Sequence, residues 1–249
     1  MGQKVNPISF RIKVNKGWDS KWFSERPLNY STILHENFEI KRYIKGIFKS
    51  YSFLISRCFI KRSGNQTNII VHLYQFQKKN IILTDLNFVK KVTDVLERIT
   101  KGKIRIHVIN IKYLSIPKTI ITVTQQLNNK HKNQKYFKES LIAINTAFAV
   151  KSAPLLSAFL ARQIELNYRH SFFIDLIRKA IPLFLFYHPQ IKGIKVQFKG
   201  RINGVDRSKK EYIQQGQISL HTLSANVDFG ISEAFTPFGV CGVKVWICF

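Results

Sequence analysis

Apolar positions in the first half of the chain repeat with two different periods. Apolar residues recur at helical spacing in residues 36–50 and again in residues 86–100. Residues 52–63, 68–76 and 103–111 have the composition of strands, and the last alternates basic and apolar side chains as a half-buried strand does. With a short helix before residue 86, the order is helix, strand, strand, short helix, helix, strand. This order predicts an α+β domain in which helices cover one face of a three-stranded sheet.

The second half of the chain begins with helical periodicity and ends with strands. The helical pattern runs from Tyr136 to about Tyr187 and is broken at Pro154. Four strands follow, at residues 191–202, 209–219, 221–229 and 242–249. Asn203 and Gly204, between the first two strands, are typical of a turn. The pattern predicts a second domain of helices followed by a mainly antiparallel four-stranded sheet.

These patterns divide the chain into four segments. Residues 1–35 carry two Trp and many Lys and Arg without a clear period, which indicates an extended basic N-terminal arm. Residues 36–114 form the first domain. Residues 115–135 are rich in Asn, Gln and Lys and are expected to be a linker. Residues 136–249 form the second domain.

Residues 141–161 resemble a membrane span in their apolar content. Lys151 lies at the middle of this stretch, where a charge costs about 2.5–3.5 kcal/mol, and Pro154 follows it. We therefore expect a packed helix or a helix pair here, and no membrane partner.

Charge narrows the functional classes further. The chain has 40 Lys and Arg against 14 Asp and Glu, a formal net charge of +26. Such an excess repels itself in a compact protein unless a polyanion supplies the opposite charge. Nucleic acid does so by exchanging counterions for Lys and Arg, and an acidic membrane surface is an alternative. A merely basic soluble protein is the third interpretation, but a charge of this size favours nucleic acid.

No pattern indicates catalysis or metal binding. The seven His are scattered, and none lies in a nucleophile elbow or a Cys/His signature. Neither a P-loop nor a Rossmann fingerprint occurs. Cys58, Cys241 and Cys248 suit neither a disulfide framework nor a zinc site, so we expect small buried hydrophobes in a reducing compartment. The expected protein is not an enzyme and takes no cofactor, metal or small-molecule substrate.

Basic residues beside aromatic or loop positions are the candidates for RNA contact. In the arm, the candidates are Lys4, Arg11, Lys13, Lys16, Trp18, Lys21 and Trp22. A terminus whose two Trp pack on its own domain is an equal alternative. In the second domain, the candidates are Lys199, Arg201, Arg207, Lys209 and Lys210. There the alternative is a solvated charged edge that discourages aggregation, and the net charge favours RNA.

Both ends of the chain resemble the universal small-subunit ribosomal protein number three, the KH-containing protein of the subunit head. The opening MGQKVNPISFRI is similar to the family's start, and Trp18 and Trp22 match its early aromatic pair. The segments SLHTLSANVDF and GVKVWI resemble the family's C-terminal domain and occur in the same order. The middle of the chain is similar in element order alone.

This resemblance implies a type II KH domain followed by a C-terminal α/β domain, in a structural constituent of the small ribosomal subunit. It implies binding to small-subunit rRNA in the head, near ribosomal proteins ten and fourteen. It also implies a face at the mRNA entrance, shared with ribosomal proteins four and five. The stretch similar to the family's entrance helix retains Arg169, His170, Arg178 and Lys179. A free-standing KH-type RNA-binding regulator is the alternative function.

Two departures from the family's pattern change the expected sites. The family's KH loop is of Gly-Lys-Lys-Gly type, whereas here Lys78 and Lys79 persist without a glycine, which predicts a weakened RNA clamp. The entrance helix gains Phe172, Phe173 and Asp175. This change predicts reduced unwinding of structured mRNA, or an aromatic contact with an organelle-specific protein.

Residue usage indicates the compartment. Ile, Phe, Lys and Asn are abundant while Met and Ala are scarce, as an A+T-rich organelle genome would produce. The start of the chain shows neither a signal peptide nor an amphipathic transit peptide. Because the KH loop and the entrance helix differ so much from the family's pattern, we expect the mitochondrial matrix, with the plastid as the alternative.

Overall fold

Two separate units make up the chain, and one of them is assembled from both ends of the sequence. The computed structural model describes residues 4–64, 66–75, 86–100, 102–111, 135–167 and 169–249. The first domain is Trp18–Ile111, and the second combines Met1–Gly17 with Lys112–Phe249. The short helix α1 (Pro7–Phe10) therefore belongs to the second domain. The segment predicted as an extended arm is divided between the two domains.

The first domain has the α+β architecture that the sequence predicts, but its sheet has four strands instead of three, because Ser20–Lys21 adds an edge strand. Its elements are β1 (Ser20–Lys21), α2 (Pro27–Ser50), β2 (Phe53–Ser63), β3 (Gln66–Gln75), α3 (Leu86–Thr100) and β4 (Lys103–Ile111). The sheet order is β1-β2-β3-β4; β2 and β3 are antiparallel, and the two outer pairs are parallel. This arrangement confirms the expected type II KH fold. The predicted short helix before α3 lies outside the described residues.

Helix α2 begins earlier than the sequence pattern indicates. It starts at Pro27, where the predicted helix starts at residue 36, because proline at the first helical position presets the backbone. Most of the added residues are exposed, so they carry no apolar period. Further along the helix, Ile40, Ile44 and Phe48 are buried against the sheet and form the core of the domain.

The second domain ends in an entirely antiparallel four-stranded sheet. Its helices after α1 are α4 (Lys135–Ala149), α5 (Ala153–Leu166) and α6 (His170–Tyr187). Its strands are β5 (Gly193–Gly200), β6 (Lys209–Gly216), β7 (Val227–Thr236) and β8 (Gly239–Cys248), in the order β6-β5-β8-β7. The prediction of a mainly antiparallel sheet is confirmed.

The stretch that resembles a membrane span is a helix pair, as expected. Helix α4 ends at Ala149, Lys151 adopts a left-handed φ of 56°, and α5 begins at Ala153. The Ser152 hydroxyl caps α5 by accepting from the Leu155 N–H at 3.4 Å. Among the helices that the structure describes, none is long and apolar enough to cross a membrane.

Strand β7 and helix α5 approach each other unusually closely. A Cβ placed on Gly230 would lie 2.6 Å from the Ala153 carbonyl oxygen and 2.7 Å from Pro154 Cα. Beside this contact, the buried Asp228 carboxylate accepts a hydrogen bond from the Ala153 N–H at 2.8 Å, at the start of the helix. The absence of a side chain at Gly230 thus sets the distance at which the helix packs on the sheet.

Residues 217–226 form a loop, although the pattern predicts that a strand begins at residue 221. Strand β6 ends at Gly216, whose φ is +74°, and β7 begins only at Val227. The carbonyl groups of this loop are not used in a strand ladder, because several of them accept hydrogen bonds from the N-terminal segment.

Candidate nucleic-acid interface

Arg11, a candidate RNA contact, is fully buried in the second domain. Its guanidinium donates to the backbone carbonyls of Pro7, Ser219, Leu220, Thr222 and Ala225, at distances of 2.7–3.1 Å. We call this set of carbonyls the carbonyl cradle. Their dipoles compensate for the desolvation of the charge. The guanidinium is therefore unavailable to a phosphate, and Arg11 has a structural role in place of the predicted one.

Three other arm candidates flank Arg11 on the surface of the second domain. Lys4 and Lys13 are exposed, and Lys16 is half-buried. Lys13 lies in a turn that is closed by its own N–H, which donates to the Lys16 carbonyl at 2.9 Å. Asn15 fixes this turn to the loop before β7 by donating to the Ala225 carbonyl at 3.0 Å. The protein thus holds Lys13 and Lys16 in a folded turn, not on an extended arm.

The two tryptophans differ in their surroundings within the first domain. Trp18 is 60% exposed, as a residue available for docking on RNA would be. Trp22 is half-buried and packs on Tyr30 with the ring centroids 5.1 Å apart. Lys21, between them in sequence, is exposed at the edge strand β1. Packing within the domain therefore applies to Trp22, and Trp18 stays available.

The candidates around β6 are partly engaged within the protein. Arg201 donates from Nε to the Val205 carbonyl at 2.9 Å, which holds the turn after β5. Lys209 Nζ lies 3.6 Å from a carboxylate oxygen of Glu211. The other candidates, Lys199, Arg207 and Lys210, are exposed.

One carboxylate links the two predicted sets of sites. Arg178, a candidate for the mRNA entrance, lies 2.9 Å from Asp175 and 3.9 Å from Glu211, the residue that also contacts Lys209. Asp175 and Glu211 therefore offset much of the positive charge of Arg178 and Lys209. Lys179 is exposed on the same helix, α6, and Arg169 is exposed immediately before the helix begins.

His170 is buried, so it lines no open surface. Its Nδ1 accepts a hydrogen bond from the Asn203 N–H at 3.1 Å, and the Asn203 side chain accepts from the Ser171 N–H at 3.1 Å. The predicted turn at Asn203 is thus a 3-10 turn (Ile202–Gly204) that caps the start of α6. His170 is a structural contact of this turn, in place of the predicted mRNA contact.

We expect the second domain to lose stability on acidification through His170. Burial lowers the pKa of this imidazole below its ordinary value of about 6.5. The unfolded chain therefore takes up the proton at higher pH than the folded domain, and the free energy of unfolding falls as the pH drops below about 6.5. Urea denaturation between about pH 7.5 and pH 5 measures this slope.

A His170→Gln variant, which keeps an acceptor but cannot titrate, should have a shallower slope than the natural chain. Burial also lowers the pKa of His188, so part of the slope should persist. His221→Gln, at an exposed histidine of the same domain, is the matched control. An unchanged slope in the His170→Gln variant would contradict the prediction.

The remaining candidates concern the KH loop and the cysteines. Lys78 and Lys79 lie outside the described residues. Cys241 and Cys248 are buried, and Cys58 packs on the core of the first domain, where burial raises the pKa of its thiol to about 11. Such a thiol is protonated at neutral pH and is a poor nucleophile. In the part of the chain that the structure describes, no three His, Cys, Asp or Glu side chains are grouped as metal ligands.

The sequence predicts only part of one surface of the second domain, namely Lys199 and Lys210. Alternate residues of β5 (Ile194, Val196 and Phe198) are buried, so the residues between them point to the opposite side of the sheet. Strand pairing then aligns Lys199 with Lys210 and Gly242, Gln197 with Tyr212 and Lys244, and Lys195 with Gln214 and Trp246. We call these nine residues the basic face. Period-two alternation in GIKVQFKG and GVKVWI indicates which residues of one strand lie on the same side of the sheet. Only the register between strands shows which residues of different strands are neighbours.

The fold and these surfaces define a class of protein. A KH-type domain, a second α+β domain and exposed lysines on a chain of net charge +26 are typical of basic nucleic-acid-binding proteins. A family model for the C-terminal domain of ribosomal protein S3 matches residues 177–247.

Similarity to curated proteins extends over nearly the whole chain. Small ribosomal subunit protein uS3 of Azobacteroides pseudotrichonymphae is 33% identical over 250 residues, which cover 100% of this chain and 82% of that protein. The uS3 of Borrelia duttonii is 32% identical, over 99% of this chain and 74% of its own length. The uS3 of Lysinibacillus sphaericus is 28% identical, over 99% and 93%. The chain belongs to the family of small ribosomal subunit protein uS3, and the family expected from its two ends is confirmed.

Proposed function

We propose that the chain is a structural constituent of the head of the small ribosomal subunit, where it binds rRNA. The observation that carries this proposal is the near full-length similarity to proteins named small ribosomal subunit protein uS3. The mechanism is neutralisation of phosphates by Lys and Arg with release of counterions, and it involves no covalent chemistry. The similarity to proteins named small ribosomal subunit protein uS3 also supports a structural role without catalysis.

Exposed basic side chains in both domains make up the proposed rRNA contacts. In the second domain they are Lys4, Lys13, Lys199, Arg207, Lys209 and Lys210, together with the half-buried Lys16. In the first domain they are Lys21 and the exposed Trp18, together with the half-buried Trp22, which packs on Tyr30. Arg11 is left out of this set because its guanidinium is buried. Arg201 contributes mainly by stabilising the turn that precedes Arg207 in the sequence. Phosphate contacts of this kind position a protein on RNA without reading its sequence.

At the mRNA entrance, we propose a weakly basic lining made by Arg169, Arg178 and Lys179, close to ribosomal proteins four and five. The pairing of Arg178 with Asp175 and Glu211 supports a reduced contribution to the unwinding of structured mRNA. On the head side, ribosomal proteins ten and fourteen are the proposed neighbours. A reconstituted subunit that lacks this chain should fail to retain those neighbours in the head.

The proposed location is the mitochondrial matrix, in the mitochondrial ribosome. The abundance of Ile, Phe, Lys and Asn supports an organelle genome. The curated relatives described above are bacterial proteins, which agrees with a bacterial-type ribosome in an organelle. A coding sequence located in a plastid genome would contradict the mitochondrial assignment and leave the ribosomal function unaffected.

Replacing Arg207, Lys209 and Lys210 together with alanine should weaken binding to small-subunit rRNA and reduce its dependence on salt. Each lost phosphate contact lowers the slope of log K against log salt by about one, so the slope should fall by about three. Filter binding of the full chain to rRNA over a range of salt concentrations measures the slope. Lys209 should account for less of this fall in slope than the other two residues, because Glu211 lies beside its ammonium group.

A matched control replaces Lys90, Lys91 and Arg98, three exposed basic residues of α3. It removes the same charge from a different surface and should reduce the slope less. Equal effects of the two triple variants would mean that net charge alone governs binding, and the proposed contacts around β6 would then be incorrect.

A further inference from the structure

We propose that the basic face binds a single-stranded segment of RNA, with Tyr212 as the platform on which one base stacks. This inference rests on the proposed function and adds the kind of RNA that the second domain recognises. The face is formed by three neighbouring strands, β6, β5 and β8, on the side of the sheet opposite to α5. At one end of the face Trp246 is buried in a cluster against which Ile8, Leu220 and Ala225 pack. The rest is an open sheet surface, so its ligand has to be held by charge and by stacking.

Charge on the basic face favours a polyanion. The face carries the four lysines Lys195, Lys199, Lys210 and Lys244, and Glu233 borders it on the neighbouring strand β7, opposite Gly242. Neighbouring strands are about 4.8 Å apart, and residues on one side recur about every 7 Å along a strand, so the ammonium groups lie within about one Debye length and repel one another. None of the ion pairs in the described part of the chain involves these lysines. A phosphate backbone relieves this repulsion, whereas an apolar protein surface would increase it.

Tyr212 presents an ordered aromatic ring beside these charges. Tyr212 is 49% exposed. The Nζ of Lys195 lies 5.4 Å from the centroid of the Tyr212 ring and 5.9 Å from the centroid of the Trp246 ring. The Lys195 ammonium thus contacts both rings through cation–π attraction. This contact, made from the central strand β5, restrains the Tyr212 ring. Tyr212 lies on the edge strand β6, and about half of its surface is exposed to solvent. A nucleobase stacked there would cover apolar ring surface while its phosphates reach the neighbouring lysines.

Gly242 leaves space for the backbone of such a strand. A Cβ on Gly242 would meet a single atom within 4 Å, the Lys199 carbonyl oxygen at 3.9 Å. Strand pairing places this glycine beside Lys199 and two residues before Lys244 on the same side. The face therefore has a shallow depression between two lysines. Glycine inside a strand often marks the place where another backbone approaches closely.

Single-stranded RNA fits this arrangement better than a duplex does. In a duplex the flat faces of the bases are stacked on each other, so a tyrosine at the surface of the protein can contact only the backbone or groove. A duplex would therefore use the lysines alone, whereas a single strand uses the lysines and Tyr212. Single-stranded and duplex probes of equal charge separate the two contributions.

The test compares binding of the full chain to a single-stranded RNA of about ten nucleotides and to a hairpin with the same number of phosphates, by fluorescence anisotropy. Tyr212→Ala should weaken binding to the single strand about 5- to 100-fold and change binding to the hairpin by less than about twofold. Tyr212→Phe keeps the ring and should bind as the natural chain does. Tyr187→Ala, at a tyrosine of the same domain that is 48% exposed on α6, is the matched control and should have no effect.

The outcomes separate this inference from the proposed function. If the natural chain binds neither rRNA nor the single strand, the proposed function itself is contradicted. If the natural chain binds and Tyr212→Ala binds the single strand equally well, only the stacking site is incorrect. Equal losses for the strand and the hairpin would also overturn it, since they would indicate charge without stacking. If the Tyr212→Ala variant binds RNA as the natural chain does but its subunit loses a neighbouring ribosomal protein, the face binds a protein partner instead.

Discussion

Replacing Arg11 with leucine should lower the free energy of unfolding of the second domain by about 3–5 kcal/mol. The substitution removes the donors of the carbonyl cradle and leaves several buried carbonyls without a partner. It also weakens the attachment of the loop that precedes β7 to the N-terminal segment, and leaves the hydrogen bonds that Asn15 donates to that loop. Urea denaturation of the full chain, followed by far-ultraviolet circular dichroism, measures the loss.

Two further variants make the Arg11 experiment specific. Arg11→Lys keeps the charge, but a compact ammonium reaches fewer carbonyls than the guanidinium fork, so an intermediate loss is expected. Lys4→Leu removes the same charge at an exposed position and should change stability by less than about 0.5 kcal/mol. A loss below about 1 kcal/mol for Arg11→Leu would show that the carbonyls find other donors or water.

Replacing Gly230 with valine should destabilise the second domain by about 3 kcal/mol or more. The new side chain would collide with the backbone of Ala153 and Pro154, which cannot turn away as the end of a flexible side chain can. Helix α5 would have to move off β7, and the hydrogen bond from the Ala153 N–H to Asp228 would lengthen. Thermal unfolding of the full chain measures the effect.

Gly242→Ala is the control for Gly230→Val, because Gly242 lies in β8, the strand that pairs with the strand of Gly230. A Cβ at Gly242 meets only one atom, at 3.9 Å, so this variant should be as stable as the natural chain or slightly more stable. Comparable losses in the two variants would mean that strand flexibility, and not the contact with α5, explains the role of Gly230.

Much of the fold follows from local patterns in the sequence. The period of α3 and the alternation in β4 are strong because each element buries one face, as Leu96 and Ile104 show. The start of α2 was missed because its first turns are exposed and carry no apolar period. Strand β7 was predicted too early because the residues before it have strand-like composition but give their carbonyls to Arg11.

The candidate site was less predictable, because charge on a side chain does not reveal its surroundings. Arg11 and His170 were selected by residue type, yet both are buried by segments distant in sequence, and no local pattern reports such a contact. Conversely, Tyr212 and Lys244 were missed because only the pairing of β6 and β8 with β5 places them on the two sides of the same residue, Gln197. Register between strands depends on packing of the whole sheet, and period-two alternation leaves it open.

The carbonyl cradle has a consequence for the order of events during synthesis. Arg11 is made before the first domain, but its partner Ala225 lies 214 residues later in the chain. The first domain, Trp18–Ile111, lies entirely between them in sequence, so it can fold while the ribosome is still translating the rest. The Arg11 guanidinium cannot complete its hydrogen bonds until residues 219–225 have been made. Closure of the second domain is thereby a late, long-range step, and a nascent chain stalled before residue 219 would contain a folded KH domain beside an unfinished partner.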